Sequence, residues 1–203
     1  MTYRYQINTI VNHGIGEKLA AQTREAGARG GTILVGRGSA HQGLLRLLAL
    51  SDVEKDILVT LVTAEEYESV WAALCTSQLF TKKNRGICYT IPLHGGSHMN
   101  ERTTHELITI ISNRGYADDI MDAARKAGAR GGTIVHARGT GTTGDAKFFG
   151  VTIVPEKEEI LILAETSTVP AIEQAIQSLP CLKEAGMGIL FTTPVSRFSV
   201  LGG

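Results

Sequence analysis

The chain has 203 residues, and its 20 Lys and Arg balance 20 Asp and Glu, so no net basic field draws it to nucleic acid or to an acidic membrane surface. Its longest apolar runs, such as residues 57–62, are strand-length, far short of the roughly 20 residues of a membrane helix. Cys75, Cys88 and Cys181 are odd in number, and no apolar leader opens the chain, so they read as reduced thiols of a cytoplasmic protein that is not membrane-embedded.

Residues 3–11 mix β-branched, aromatic and polar side chains and predict a strand. A helix follows over 14–26, with Ile15, Leu19, Thr23 and Ala26 on one side and Gly27 at its exit. Residues 32–35 predict a second strand and 36–43 a loop, after which comes the apolar stretch 44–50. A third strand is expected over 56–62. Thr63 and Glu66 then form a capping box before a helix with Tyr67, Val70, Trp71 and Leu74 in one stripe. A strand over 87–91 stops at Pro92. The same order returns as strand 106–112, helix 116–127, strand 133–137, loop 138–147, strand segments 148–154 and 159–165, a helix from Thr168 and strand 189–193.

The return is literal at one place. Residues 26–33, Ala-Gly-Ala-Arg-Gly-Gly-Thr-Ile, recur unchanged as 127–134, so that Gly27 is answered by Gly128, 101 positions on. Asn12 answers to Asn113, Gly14 to Gly115, Arg37 to Arg138 and Gly38 to Gly139; after a slip, Ile57-Leu58 is matched to Ile160-Leu161 and Gly86-Ile87 to Gly188-Ile189. The reading is a tandem repeat of two βαββαβ units. Each is a ferredoxin-like α+β domain, with an antiparallel four-stranded sheet and both helices on one face. The expected boundaries are 1–93 and 104–203, with 94–103 as linker.

In the second unit, Gly131, Thr133, Gly139 and Gly141 stand in one register, followed by Gly186-Met187-Gly188 and Pro194. With these residues it resembles the nitrogen regulatory PII family, in which a second-strand glycine and threonine precede the base of a long T-loop and a Gly-x-Gly B-loop precedes the last strand. The first unit shares the pattern more weakly through Gly30, Thr32, Gly38, Gly86 and Pro92. The resemblance implies a non-enzymatic signalling protein of nitrogen or related metabolism. It implies a homo-oligomer, a trimer in the family, with ATP, ADP or another adenine nucleotide as effector and a target enzyme or membrane transporter as partner.

On that basis the effector residues are Gly131, Thr133, Arg138, Gly139, Gly141, Gly186 and Gly188, and more weakly Thr32, Arg37, Gly38 and Gly86. Thr142, Thr143, Asp145, Lys147 and Phe148 belong to the partner-binding loop. Glycine turns let backbone N–H groups approach a phosphate closely, and Arg138 adds charge. The chain departs from the family where the B-loop lysine is replaced by Ile189, or Ile87 in the first unit, and the T-loop region, residues 139–150, holds no tyrosine. The first unit, with Ala40 in place of a loop glycine, is read as degenerate and the second as the sensor.

Other features have plainer readings. Residues 27–31 and their copy are a helix exit and a close backbone approach. His94, His98 and His105 sit in or beside a Gly-Ser linker, and no metal is assigned to them. Glu156, Glu158 and Glu159 read as a solvated edge. No catalytic triad or carboxylate pair is assembled. The alternative function is a CutA-like metal or small-ligand binder without a nucleotide role.

Overall fold

The structure, a computed structural model, describes residues 2–39, 52–80, 86–93, 104–139, 147–148, 151–152, 156–183 and 187–202. In the N-terminal half, β1 (Tyr5–Asn12), α1 (Gly16–Glu25), β2 (Thr32–Ser39), β3 (Asp52–Val62), α2 (Tyr67–Cys75) and β4 (Gly86–Pro92) follow in the expected order. The C-terminal half repeats it with β5 (His105–Asn113), α3 (Ala117–Lys126) and β6 (Thr133–Arg138). A small pair follows, β7 (Lys147–Phe148) and β8 (Val151–Thr152), and then β9 (Glu156–Glu165), α4 (Val169–Gln177), β10 (Gly188–Val195) and β11 (Arg197–Leu201). The expected linker, 94–103, lies outside the described residues.

The four strands of each half are neighbours, but within one mostly continuous antiparallel sheet rather than two. Its nine strands run β10-β5-β9-β6-β2-β3-β1-β4-β11. Two features make it one. First, β2 pairs with β6 through Gly36–Val135, Arg37–Ile134 and Gly38–Thr133. The approach is close, since a Cβ on Gly36 would lie 2.7 Å from the Ile134 carbonyl oxygen. Second, β11, a strand with no counterpart in the expected elements, pairs with the outer edge of β4. Only Ser196 separates β10 from β11, so the two ends of the sheet lie beside each other; its N–H donates to the Thr90 carbonyl at 3.0 Å. Closing a sheet in this way covers edges that would otherwise invite foreign strands.

The apolar pattern divides accordingly. Ile7, Val11, Leu19, Leu58, Val70, Trp71 and Leu74 form the core under α1 and α2. Ile108, Ile110, Ile120, Met121, Ile134, Ile160, Ile172 and Ile176 form that under α3 and α4. A third cluster on the opposite face draws from both halves: Ile10, Ile57 and Tyr89 with Leu107, Val135 and Val195. Alternation along each strand supplies one face to its own helices and the other to this shared core. The helix starting after Thr63 has the expected reciprocal box, Thr63 N–H to Glu66 Oε2 at 3.0 Å and Glu66 N–H to Thr63 Oγ1 at 3.3 Å.

The ladders correct the internal alignment by one residue. Ile10 faces Ile57, while Ile111 faces Glu159, so the counterpart of Ile57 is Glu159 and not Ile160. A one-residue slip in a strand exchanges its two faces, and in the true register Asp56 answers to Glu158 and Lys55 to Lys157. Both carboxylates do the same work. Asp56 accepts the N–H groups of Gly14 and Gly16 at 2.9 Å each, before α1. Glu158 accepts those of Gly115 and Ala117 at 2.9 and 3.3 Å, before α3. Glu158, expected on a solvated edge, is thus buried, because the orphan amides of a helix start need an acceptor.

Candidate functional site

The repeated glycine segment divides into two kinds of position. Gly27 and Gly128 leave their helices at φ of 110° and 109°, in the left-handed region that favours glycine. Gly31 and Gly132 have no room for a side chain. A Cβ would meet the Val59 carbonyl oxygen at 3.0 Å in the first case, and the Met121 sulfur at 2.7 Å and the Leu161 carbonyl oxygen at 3.1 Å in the second. Gly131 differs, with only the Ser39 carbonyl oxygen near, at 3.8 Å. That backbone faces an opening.

The opening is a cavity of about 560 Å³ between the halves. The N-terminal half supplies Gly38 and Ser39 at the end of β2, Lys55 on β3, and Gly86 and Ile87 at the start of β4. The C-terminal half supplies Gly128, Arg130, Gly131, Gly132 and Thr133 from the repeated segment, and Leu163 and Glu165 from β9. Ile10, Leu161, Phe198 and Val200 make an apolar floor. Size and lining fit a small organic ligand, apolar with a few polar groups.

The walls are tied to one another across the seam. Ser39 N–H and Oγ both donate to the Gly132 carbonyl at 2.9 Å, and Gly132 N–H donates to Ser39 Oγ at 3.1 Å. Arg125 Nη2 donates to the Ser39 carbonyl at 2.6 Å. Lys55 Nζ donates to Asn12 Oδ1 at 2.7 Å, and burial holds its ammonium below the ordinary lysine pKa. A partly desolvated cation of this kind interacts strongly with an arriving anion. Arg130 is exposed at the rim and pairs with Glu165 at 2.8 Å. His105 lies against Phe198 with ring centroids 4.6 Å apart.

The expected effector residues are therefore divided. Gly38, Gly86, Gly131 and Thr133 line this cavity, drawn from both halves. Thr32 opens β2 opposite Val59, away from it. Gly188 opens β10 opposite Ser112 and packs on Leu182, with no space for a Cβ. Arg37 is turned to the C-terminal half, where its guanidinium meets Asp118 at 3.1 Å and Glu158 at 4.0 Å. Arg138 lines a second cavity, of about 400 Å³, with Arg114, His136, Ala137, Glu156 and Lys157; Gly139 follows it in sequence. Gly141, Gly186, Thr142, Thr143 and Asp145 lie outside the described residues. Lys147 and Phe148 are placed only by their backbone pairing with Thr152 and Val151.

Sequence reasoning missed Lys55 and Ser39. Lys55 had a signal, since Asn12 with Lys55 recurs as Asn113 with Lys157, whose Nζ donates to Asn113 Oδ1 at 2.5 Å; the misplaced register hid it. Ser39 had none, because its partner Gly132 is 93 positions away. Among the described residues no three His, Cys, Asp or Glu side chains gather as a metal site, and no helix is long and apolar enough to cross a membrane. His94 and His98 are outside the described residues.

Residues 105–202 match the family model of nitrogen regulatory protein P-II. No curated protein matches the chain. Among solved structures it is similar to CPII from Thiomonas intermedia K12 bound to ADP and bicarbonate, at 20% identity and a TM-score of 0.34, over 49% of this chain and 89% of that one. The complex of CPII with ADP, AMP and acetate gives 18% and 0.33, over 50% and 91%. An unknown protein from Galdieria sulphuraria gives 12% and 0.31, over 96% and 99%.

Proposed function

We propose that the chain is a PII-like regulator without a catalytic step. Each half is a PII-like unit, and an adenine nucleotide binds in the cavity between them. The observation that carries this reading is the composition of that cavity. Its apolar floor suits a flat ring. The glycine and threonine backbone of residues 131–133 gives phosphates a close approach, and Lys55 and Arg130 supply charge. The B-loop lysine that the family uses is absent from this chain, and Lys55 takes that part from the other side of the cavity. Ser39, tied to Gly132, ends β2, so a ligand that moves the seam also moves the end of that strand. Differential affinity for two states of the seam would then change docking to a target enzyme or transporter in nitrogen or related metabolism.

The test is calorimetric titration with ATP, ADP, AMP and a cyclic dinucleotide. One of the adenine nucleotides should bind with one site per chain. Gly131→Asp, which has room for its side chain and puts a carboxylate in the cavity, should abolish binding, whereas Gly139→Asp should leave it. No heat from any nucleotide would end the reading, and loss only in Gly139→Asp would move the site to the C-terminal loop base.

A further inference from the structure

β11 crosses from the C-terminal half to the edge of β4, and its two faces meet different surroundings. Arg197, Ser199 and Leu201 lie opposite Thr90, Cys88 and Gly86, on the face that carries α1 and α2, and Leu201 is buried in that core. Phe198 and Val200 lie opposite Tyr89 and Ile87 on the other face, where both line the cavity between the halves. The Arg197 guanidinium is laid on aromatic rings of α2, with its central carbon 4.6 Å from the Trp71 centroid and 5.8 Å from that of Tyr67. Its Nη1 donates to both carboxylate oxygens of Glu68 at 3.0 Å. Tyr5, on β1, backs Tyr67 with ring centroids 4.3 Å apart, and Tyr67 lies 6.2 Å from Trp71. The Tyr67 hydroxyl is fixed against Thr90 Oγ1 at 3.2 Å.

These rings belong to one half. With Val70 and Leu74 matched to Ile172 and Ile176, the buried pairs of the two helices, Tyr67 answers to Val169, Glu68 to Pro170 and Trp71 to Glu173. Tyr5 answers to Glu106 on the strand. The half that receives β11 thus has the aromatic set, and the half that sends it has none at the same positions. Core filling alone does not ask for the difference, since α4 packs with Val169, Ile172 and Ile176. We propose that Tyr67, Trp71 and Glu68 form a cage for a guanidinium group, filled by the chain's own Arg197, and that this contact is the latch holding β11 in place as a wall of the cavity between the halves. Arginine suits the cage because a planar, weakly hydrated guanidinium stacks on a ring and still gives its edge to a carboxylate. A lysine ammonium has no flat face to stack. Arg197 is a positioning residue, acting through Phe198 and Val200 on the same strand, and it does so whatever ligand the cavity takes.

Two measurements on the full chain test the latch. In hydrogen–deuterium exchange, Arg197→Ala should speed the exchange of residues 197–201 about tenfold, the loss expected of one cation–π contact with its ion pair, and leave α2 unchanged. Glu68→Gln, at an exposed carboxylate, should speed the same segment about threefold. Trp71 is the chain's single tryptophan and reports on the cage itself. In Arg197→Ala, methylguanidinium chloride should shift Trp71 fluorescence saturably, and equal sodium chloride should not. In the wild type, whose cage is filled, neither salt should shift it. Unchanged exchange of 197–201 in both variants, or acceleration spread equally over β1 and α2, would overturn the proposal. So would a Trp71 response in Arg197→Ala that fails to saturate or that sodium chloride reproduces. If Arg197→Ala does not fold, exchange in Glu68→Gln decides alone.

Discussion

Arg37 and Arg138 stand at the same step of the same strand in the two halves, and their surroundings differ. Arg37 points across the seam, largely buried, and its guanidinium lies between Asp118 and Glu158. Arg138 is exposed beside Arg114 and Lys157. The same contrast runs through their neighbours. The seam sets the backbone of the N-terminal loop base against the repeated glycine segment of the C-terminal half and encloses a cavity with an apolar floor. Among the described residues, His136, Ala137 and Arg138 at the end of β6 meet no such surface and are exposed. A repeated segment therefore carries no role by itself. What the other half places against it decides whether a residue is structural or available to a ligand.

The largest test of that contrast concerns two adjacent glycines. Gly132→Val has no space against Met121 and the Leu161 carbonyl and should destabilise the protein by about 3 kcal/mol in urea unfolding, the upper range for overpacking. Gly131→Ala should stay within about 0.5 kcal/mol. If both were neutral, the backbone approach at Gly132 would not be as close as the fold requires.

A smaller effect separates the two arginines. Arg37→Ala removes a partner from Asp118 and from the buried Glu158 at the start of α3, and should cost about 1–2 kcal/mol by chemical unfolding. Arg138→Ala, at an exposed strand end, should change stability by less than about 0.5 kcal/mol. Equal costs would remove the distinction between the halves.

The smallest effect is in pH. Asp56, by hydrogen bond and charge, raises the His13 pKa above its ordinary 6.5. Burial works to raise the Asp56 pKa, but the N–H groups of Gly16 and Gly14 and the His13 ring outweigh it, and Asp56 titrates low. For His13 the folded pKa is the higher one. Its contribution is complete below about pH 6.5 and is lost as pH rises through the raised value. Arg114, its counterpart, stays charged throughout. Thermal midpoints measured across that window should fall in the wild type and flatten in His13→Gln. An unchanged slope in the variant would show that His13 is not the group responsible.

Much of the fold was legible because its causes are local. Helix exits at Gly27 and Gly128, the Thr63–Glu66 box, and the stripe ending in Leu74 depend on residues a few positions apart. Even β2 was cut short at Val35, because Gly36 and Gly38 read as a loop. They are strand residues because β6 needs a close approach there. Four of the residues that line the cavity between the halves, Gly38, Gly86, Gly131 and Thr133, were singled out from the sequence. Lys55 was not, since the strand slip that displaced Ile57 by one residue also hid the correspondence of Lys55 to Lys157.

By itself, then, the sequence determined the order of elements, the repeat, the apolar faces and the places where only glycine fits, since each follows from backbone geometry and spacing within one segment. Only the tertiary structure decided that the halves share one sheet, that β11 crosses to the N-terminal half, and that Arg37 is held by Asp118 and Glu158 across the seam. Those outcomes rest on contacts such as Arg37 with Asp118, 81 positions apart, and Arg197 with Glu68, 129 apart. No local pattern encodes such distances. They are set by which surfaces can bury one another when the whole chain packs.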